Sequence, residues 1–311
     1  MTTLRVGTRE SKLAIIQTDF IIGMLKKLDS SLSFEKVVIA TAGDKFKKER
    51  FSSMGVKGIF EKEIDATLMR GEIDFAVHSL KDVPSEGYSE LVIGAIPKRE
   101  SPNDVLVSKR GERFSEFDAG SVIGTSSPRR MIQVKHLRPD LKIKPIRGNV
   151  ETRVGNVLEG DYDAIVVAEA GLKRLRLDNK ISERLSLDAF APAPGQGALA
   201  VVVQKNNRRV LKLVSNINDK KSMNEILVER RVSSKLEGGC QAPIGVIARQ
   251  NGENLNVYAC TFSVDGRKKI SSSMVGKVTD ASNLANELVS NLVKMGAEEI
   301  INEWRKESVR W

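Results

Sequence analysis

Strand-like and helix-like segments alternate over about the first two hundred residues, and this alternation restricts the fold more than any other feature. TLRVGT, FEKVVIATAG and IDFAVHSL predict strands, and the segments between them, ESKLAIIQTDFIIGMLKKL and GIFEKEIDATLMRGE, predict helices. Strands that alternate with helices are typical of a parallel sheet joined by crossover helices. The sequence therefore predicts an α/β fold.

A second unit of the same kind follows, and a region of different character closes the chain. SVIGTSS, LKIKPIRG and YDAIVVAEA predict strands, with helices at PRRMIQVKHL and NVETRVGNVLEG. The Pro/Gly-rich segment AFAPAPGQGALAVVVQ indicates a crossing between domains. From about Lys220, an amphipathic helix, a short antiparallel sheet and one closing helix predict a separate α+β domain.

The charge of the chain restricts the class of partner. It has 50 basic and 40 acidic residues, and the net charge of +10 favours an anionic partner. Aromatic residues make up only 5% of the chain, and its arginines are scattered in short motifs, which suits a small polyanion better than nucleic acid. A solvated basic surface is the alternative that composition leaves open.

Other features of the sequence bear on its location. No stretch approaches the roughly 18–20 consecutive apolar residues of a membrane span. The start, MTTLRVGTRES, lacks the apolar centre of a signal peptide, and two cysteines do not make a disulfide framework. We therefore expect a cytoplasmic protein that binds neither a membrane nor nucleic acid.

Two arginine motifs of the second unit come directly after predicted strands, where α/β sheets gather their ligands. In GTSSPRR a serine would cap the helix that proline starts, and Arg129 and Arg130 lie in its first turn. The helix dipole opposes positive charge there, so a bound anion would remove the conflict. In RGNVETR, Asn149 is a candidate cap between Arg147 and Arg153, and arginine suits bidentate capture of carboxylates.

Polar residues also follow two strands of the first unit. GTRES places Arg9 and Ser11 at a strand-to-helix turn, although Ser11 can equally serve as a helix cap. HSLKDVP crowds His78, Lys81 and Asp82 at a strand end. An ionised Asp82 in a cleft could accept a proton or stabilise a developing cation, and a salt bridge to a basic neighbour is the alternative. We interpret His78 as a structural histidine.

Cys240 lies in the glycine-rich segment LEGGCQAPIG, which predicts a loop. A thiol that faces a basic cleft would have its thiolate stabilised and would be a good nucleophile. The two histidines belong to other motifs, so an attachment point is a better interpretation than a Cys–His pair. Neither cysteine has metal-ligand spacing, and Cys260, in the alternating run LNVYACTFSV, is expected in a core.

The motifs taken together resemble the hydroxymethylbilane synthase (porphobilinogen deaminase) family. They are GTRESKLA, GVKGIFEKE, HSLKDVP, GTSSPRR, RGNVETR, AGLKRL, PAPGQGALA and LEGGCQAPIG, and they run in order from Arg5 to at least Gly245. The resemblance implies two lobes of the periplasmic-binding-protein type, 1–97 with 198–216 and 98–197, and a C-terminal domain, 217–311. It also implies a monomer without a metal, in which Cys240 holds a dipyrromethane cofactor through a thioether.

The reaction that the resemblance implies joins four porphobilinogen molecules, with loss of ammonia at each coupling, and releases hydroxymethylbilane. Asp82 would be the catalytic residue, near the pyrrole nitrogens. The residues expected to bind cofactor or substrate carboxylates in a cleft between the lobes are Arg9, Ser11, Lys57, Ser79, Lys81, Thr125, Ser126, Ser127, Arg129, Arg130, Arg147, Gly148, Asn149, Arg153, Ala168, Arg174 and Gln196.

The chain departs from the family at two places. Ser52 and Ser53 stand where a basic residue is common, so one carboxylate contact is lost or comes from Lys47, Lys48 or Arg50. Pro128 replaces a commoner apolar residue. Two other classes remain open at this point: a non-enzymatic solute-binding or effector-binding protein with the same two lobes, and a nucleic-acid-binding protein suggested by charge alone.

Overall fold

The computed structural model describes residues 3–40, 61–84, 88–237 and 243–307. The chain divides into two compact units. The first contains the described residues of 1–100 together with Gly197–Met223, and the second contains Ser101–Gln196 together with Asn224–Trp311. Residues 41–60, which include Lys57 and both serines of the departure at Ser52 and Ser53, lie outside the described residues.

The first unit is built on a five-stranded sheet of order β2-β1-β3-β10-β4. Its strands are β1 (Thr3–Arg9), β2 (Ser33–Ile39), β3 (Phe75–Ser79), β4 (Leu91–Ala95) and β10 (Leu199–Gln204), and its helices are α1 (Lys12–Leu28), α2 (Lys62–Met69) and α6 (Arg208–Ser215). β1 is parallel to β2 and β3, as the strand–helix alternation predicts. β10 returns antiparallel beside β3, so the sheet is mixed and not parallel throughout.

Apolar residues of this sheet and its helices form one core. Val6, Phe75 and Val201 from three different strands are fully buried. On α1 the buried positions include Thr18, Ile21 and Leu25. The apolar spacing predicts this helix, but Phe20 is 52% exposed. Spacing identifies a helix without saying which of two apolar stripes meets the sheet.

The second unit contains another five-stranded sheet, of order β7-β6-β8-β5-β9. Its strands are β5 (Asp104–Ser108), β6 (Val122–Gly124), β7 (Lys142–Lys144), β8 (Ala164–Ala168) and β9 (Glu183–Arg184), and its helices are α3 (Pro128–Leu137), α4 (Val150–Glu159) and α5 (Glu169–Arg174). β6 is parallel to β7 and β8, whereas β5 is antiparallel to β8. Buried clusters cover both faces.

A three-stranded antiparallel sheet completes the second unit, as the sequence predicts. It consists of β11 (Gly245–Asn251), β12 (Asn254–Phe262) and β13 (Lys269–Lys277), with helices α7 (Lys220–Glu237), α8 (Ala281–Lys294) and α9 (Ala297–Glu307). The prediction of one closing helix is wrong, because Gly296 adopts a φ of 93° and separates α8 from α9. Cys260 is 2% exposed on β12, so the prediction of a core cysteine is confirmed.

None of the helices within the described ranges combines the length and the apolar character that a membrane crossing needs.

The directions of the strands decide where the polar motifs of each unit meet. In both five-stranded sheets, neighbouring parallel strands end at the same edge. The polar motifs that come directly after these strands are therefore brought together within each unit.

Candidate active site

The first unit gathers four predicted site residues at one sheet edge. β1 ends at Arg9 and its parallel neighbour β3 ends at Ser79, and a short 3₁₀ turn, Leu80–Asp82, follows at once. Lys81 and Asp82 are exposed on this turn. Arg9 and Asp82, which the sequence places after two strands of this unit, therefore follow neighbouring parallel strands.

Local hydrogen bonds explain why the chain turns here. Ser11 caps α1, since its side chain accepts a hydrogen bond from the backbone N–H of Ala14 at 3.3 Å. Gln17 of α1 donates from Nε2 to Ser79 Oγ at 3.0 Å, and the backbone N–H of Leu80 donates to the carbonyl of Ala198 at 3.0 Å. Ser11 and Ser79 thus have structural partners besides any ligand contact.

Glu61 is a residue of this edge that the sequence does not reveal. Its side chain is buried, at 3% exposure, directly before α2. Burial raises the pKa of its carboxyl to about 8; the charge of Asp82 contributes to this increase and the charge of Arg9 opposes it. A glutamate in the charged run FEKE looks like a solvated helix start, so only the folded structure shows that it lies with Arg9 and Asp82.

The second unit brings three strand ends to one edge of its sheet. Residues 125–127 follow β6, residues 147–149 follow β7, and Ala168 ends β8. Ser127 caps α3 by accepting from the backbone N–H of Arg130 at 3.4 Å, and Asn149 caps α4 by accepting from the N–H of Thr152 at 2.8 Å. Both predicted caps are confirmed, and Pro128 occupies the first turn of α3.

Gly148 has a structural reason to be glycine. Its φ is 101°, a conformation that other residues rarely adopt. A Cβ at this position would also lie 2.9 Å from side-chain atoms of Thr152. The side chain of Ser126 fixes the adjacent turn, because it donates to the carbonyl of Ile146 at 2.6 Å. The predicted binding loops are therefore shaped by backbone geometry before any ligand arrives.

Arginines in the first turn of α3 form ion pairs with a carboxylate of the protein itself. Asp104, at the start of β5, is fully buried; its Oδ1 lies 2.8 Å from Arg130 and its Oδ2 2.8 Å from Arg129. Burial favours the neutral acid, but the two guanidiniums hold the pKa of Asp104 below its ordinary value. Asp104 therefore offsets the conflict between these arginines and the helix dipole, and an anion bound at this helix start stays a prediction.

Basic charge nevertheless exceeds acidic charge in this cluster. Burial and the nearby Arg130 lower the pKa of Arg153, which shows that a third guanidinium lies close to the pair. Arg153 Nε donates to the carbonyl of Gly148 at 2.9 Å, so it points back to the start of α4. Two guanidiniums paired with one carboxylate, with a third guanidinium near Arg130, leave an excess of positive charge that fits a ligand carrying carboxylates. Arg147 is exposed in the preceding loop, and Arg174 is half-buried in the last turn of α5.

Gln196 belongs to the same network. It is fully buried, and its Nε2 donates to Asp104 Oδ1 at 3.0 Å and to the carbonyl of Pro102 at 2.7 Å. The flanking Gly195 and Gly197 have φ values of 76° and 89°. The glycines of PAPGQGALA therefore make the turns that this crossing segment needs, and the described side chain of Gln196 contacts the protein.

The segment that contains Cys240, residues 238–242, lies outside the described residues. Its two neighbours along the chain are described: α7 precedes it and β11 follows it. Glu229 of α7 is fully buried and accepts from the backbone N–H of Gly195 at 2.7 Å and of Ala248 at 2.9 Å. One carboxylate therefore joins the crossing segment to the strand that follows the segment containing Cys240.

Comparison with known sequences gives matches over almost the whole chain. Residues 4–212 match the family "Porphobilinogen deaminase, dipyromethane cofactor binding domain", and residues 223–294 match "Porphobilinogen deaminase, C-terminal domain". A probable porphobilinogen deaminase from Nitrosopumilus maritimus is 42% identical over 306 residues, which is 98% of each chain. The porphobilinogen deaminase from Alkaliphilus metalliredigens is 40% identical over 301 residues, 97% of this chain and 95% of its own.

Solved structures of similar shape are more distant. A periplasmic aliphatic sulphonate binding protein from Escherichia coli aligns with a TM-score of 0.38 at 11% identity, covering 75% of this chain and 70% of its own. The family matches, in contrast, coincide with the motifs of the sequence. Seven of the eight motifs fall within residues 4–212 and the cysteine motif within 223–294. The chain belongs to the porphobilinogen deaminase family.

Proposed function

We propose that Asp82 is the catalytic residue of this chain and that the strand-end edge of each unit binds carboxylates of pyrrole rings. As a porphobilinogen deaminase, the protein joins porphobilinogen molecules into hydroxymethylbilane. One ammonia is released from porphobilinogen at each coupling. The observation that carries the proposal is the position of Asp82, exposed at the end of β3 beside the parallel β1 that ends at Arg9.

Asp82 has the chemistry that this reaction needs. Positive charge develops on the porphobilinogen ring as ammonia leaves, and an ionised carboxylate stabilises that charge. The same carboxylate can accept the proton that the ring loses after coupling. Arg9 at the neighbouring strand end supplies positive charge for a substrate carboxylate, as do Arg147 and Arg153 in the second unit.

We further propose that Cys240 is the covalent anchor of the dipyrromethane that this family binds. When bound, that group supplies the pyrrole to which new rings are added. The support is the segment LEGGCQAPIG, the family match over residues 223–294 and the core position of Cys260, which leaves Cys240 as the other thiol of the chain. The basic residues of the second unit would stabilise a thiolate and the carboxylates of the group.

We also propose that the protein acts as a cytoplasmic monomer. The cysteine content supports the compartment, since two cysteines, one of them buried in a core, suit a reducing environment, and the monomer is what the family resemblance implies. Sedimentation of the purified protein should give a single species near the chain mass of 34.3 kDa. A stable dimer would overturn the monomer, and location of the protein outside the cytoplasm would overturn the compartment.

Consumption of porphobilinogen tests the function as a whole. An acidic aldehyde reagent that colours free pyrroles should report loss of porphobilinogen, with one ammonia released for each molecule consumed. A two-lobed solute-binding protein would bind porphobilinogen without consuming it. Stable porphobilinogen in the presence of the purified protein and its cofactor would contradict the proposal.

A further inference from the structure

Gln133 of α3 is buried, at 1% exposure, and its side chain bonds to both backbone groups of one residue in the crossing segment. Its Oε1 accepts from the backbone N–H of Ala191 at 2.7 Å, and its Nε2 donates to the carbonyl of Ala191 at 3.0 Å. One amide thus satisfies both polar groups of a buried backbone residue, as a neighbouring strand would. The side chain of Gln133 therefore fixes Ala191 against α3.

The carbonyl of Ala191 also connects Gln133 to Arg129, in the first turn of the same helix. Arg129 donates from Nη1 to this carbonyl at 2.6 Å, and its Nη2 lies 2.8 Å from Oδ2 of Asp104. Gln133 Nε2 donates in addition to the backbone carbonyl of Arg129 at 3.2 Å. The guanidinium of Arg129 is therefore held by Asp104 and by the residue of the crossing segment that Gln133 fixes.

The same stretch of the crossing segment contacts the start of β11. The backbone N–H of Val246 donates to the carbonyl of Pro192 at 3.0 Å. A Cβ at Gly245 would lie 2.5 Å from Cβ of Ala191 and 3.1 Å from its carbonyl oxygen, so a larger residue would displace one of the two segments. The strand that follows Cys240 in the sequence therefore begins in direct contact with Ala191.

We propose that Gln133 is a positioning residue for pyrrole coupling, which fixes the start of β11 relative to the arginine start of α3. The inference rests on the anchor role proposed for Cys240. Ala191 carries it, because this one residue contacts both Gln133 and Gly245.

The physical reason is that a tethered chain has two fixed points. Its covalent end lies shortly before β11 in the sequence, and its carboxylates bind basic residues at the strand-end edges. Coupling is fast only while the two points keep their separation, since a displacement of about 1 Å can lower a rate about a hundredfold. Gln133 acts on this separation through Ala191 and not through contact with the substrate.

Gln133→Met tests the proposal, because methionine has a similar length but cannot donate a hydrogen bond and accepts one only weakly. The variant should remain folded, since Glu229 still binds the backbone of Gly195 and Ala248. Gly245→Ala tests the same contact from β11 with Gln133 intact, and it should reproduce the defect.

Gln250→Met is the matched control. Gln250 is a half-buried glutamine of the same unit, and its side chain donates to the carbonyl of Gly252 at 2.8 Å and accepts from Asn224 at 3.0 Å. The change therefore also removes two hydrogen bonds of a glutamine amide, but at the other end of β11. Circular dichroism and unfolding in urea report what each variant costs the fold.

Steady-state kinetics and intact mass give the decisive results. We expect kcat of Gln133→Met to fall about ten- to a hundredfold. The KM for porphobilinogen should stay close to that of the wild type, because Arg147 and Arg153 are unchanged. Intact mass should show the dipyrromethane in place and, after brief exposure to porphobilinogen, an accumulation of incomplete pyrrole chains. Gln250→Met should keep the wild-type kcat without such accumulation.

The outcomes separate this inference from the function on which it rests. A kcat of Gln133→Met equal to that of Gln250→Met, or a loss explained by its unfolded fraction alone, would make Gln133 a packing residue. Wild-type kcat in Gly245→Ala would likewise overturn the inference. A Cys240→Ser variant that still carries tethered pyrroles would overturn the anchor and the inference together.

Discussion

Asp82 and Asp104 are the same residue type in two environments. Asp104 is fully buried between Arg129 and Arg130 and holds the start of α3 to β5, whereas Asp82 is exposed at the end of a strand. A carboxylate enclosed by fixed guanidiniums has no freedom to exchange protons with a substrate. An exposed carboxylate at a strand end can approach one. The environment of Asp104 therefore assigns it a structural role, and the exposure of Asp82 supports the catalytic role proposed for it.

Asp82→Asn should keep the fold and lose most of the turnover. The amide has nearly the same size, but it can neither take the proton nor offset the charge of the ring. Single acid–base contributions of this kind are about a hundred- to ten-thousand-fold. Steady-state formation of hydroxymethylbilane measures the loss, with circular dichroism as the check on folding. A rate near that of the wild type would remove Asp82 from the catalytic role.

Asp104→Asn should destabilise the second unit strongly. It leaves Arg129 and Arg130 buried without their carboxylate, and loss of one partner of a buried ion pair costs about 3–5 kcal/mol. Unfolding in urea should show a free energy of unfolding lower by that amount, with a correspondingly lower midpoint concentration. Asp118→Asn, at an exposed position of the same unit, is the matched control and should change stability by less than about 0.5 kcal/mol. Equal stability of the two variants would refute the assigned role.

At the scale of elements, the sequence predicts helix caps and helix starts, which depend on neighbouring residues. It does not predict contacts between side chains that are distant in the sequence. The caps Ser127 and Asn149 and the helix start at Pro128 follow from residue types at turns. The Asp104–Arg130 pair spans 26 positions and depends on β5 lying antiparallel beside β8, a direction that hydrophobic periodicity does not encode. Glu61 was missed for the same reason, because its neighbours Arg9 and Asp82 come from other strands.

Arg153→Leu tests the start of α4 as a carboxylate site. The change removes a guanidinium that lies near Arg130 and points to Gly148, and loss of a charged hydrogen-bond partner costs a bound carboxylate about 1.5–3 kcal/mol. Enzyme species that carry incomplete pyrrole chains should accumulate, as seen by mass spectrometry. Arg208→Leu, at an exposed position at the start of α6, should show no accumulation. If the Arg153 variant unfolds and no enzyme species with incomplete pyrrole chains accumulate, Arg153 has a structural role and does not bind the substrate.

At the scale of the whole molecule, the sequence predicts three sheets and a crossing segment, and the structure contains them. Two residues of the crossing segment bond to other parts of the second unit: the side chain of Gln196 donates to Asp104, and the backbone N–H of Gly195 donates to Glu229. Glu229 also contacts β11, which follows the segment containing Cys240. The proposed tether gives that segment a function: a growing chain held at Cys240 would make each coupling effectively intramolecular, so that the chain is not bound again at every step.

The intact mass of the protein is the most direct test of that tether. The wild type should weigh more than its 34.3 kDa polypeptide by one dipyrromethane, and brief exposure to porphobilinogen should add a ladder of species, each one pyrrole unit heavier. Cys240→Ser should lack the added mass and the ladder, whereas Cys260→Ser, which changes the buried cysteine, should keep both. A wild-type protein that consumes porphobilinogen at the bare polypeptide mass, with no heavier species at any time, would contradict a tether at Cys240.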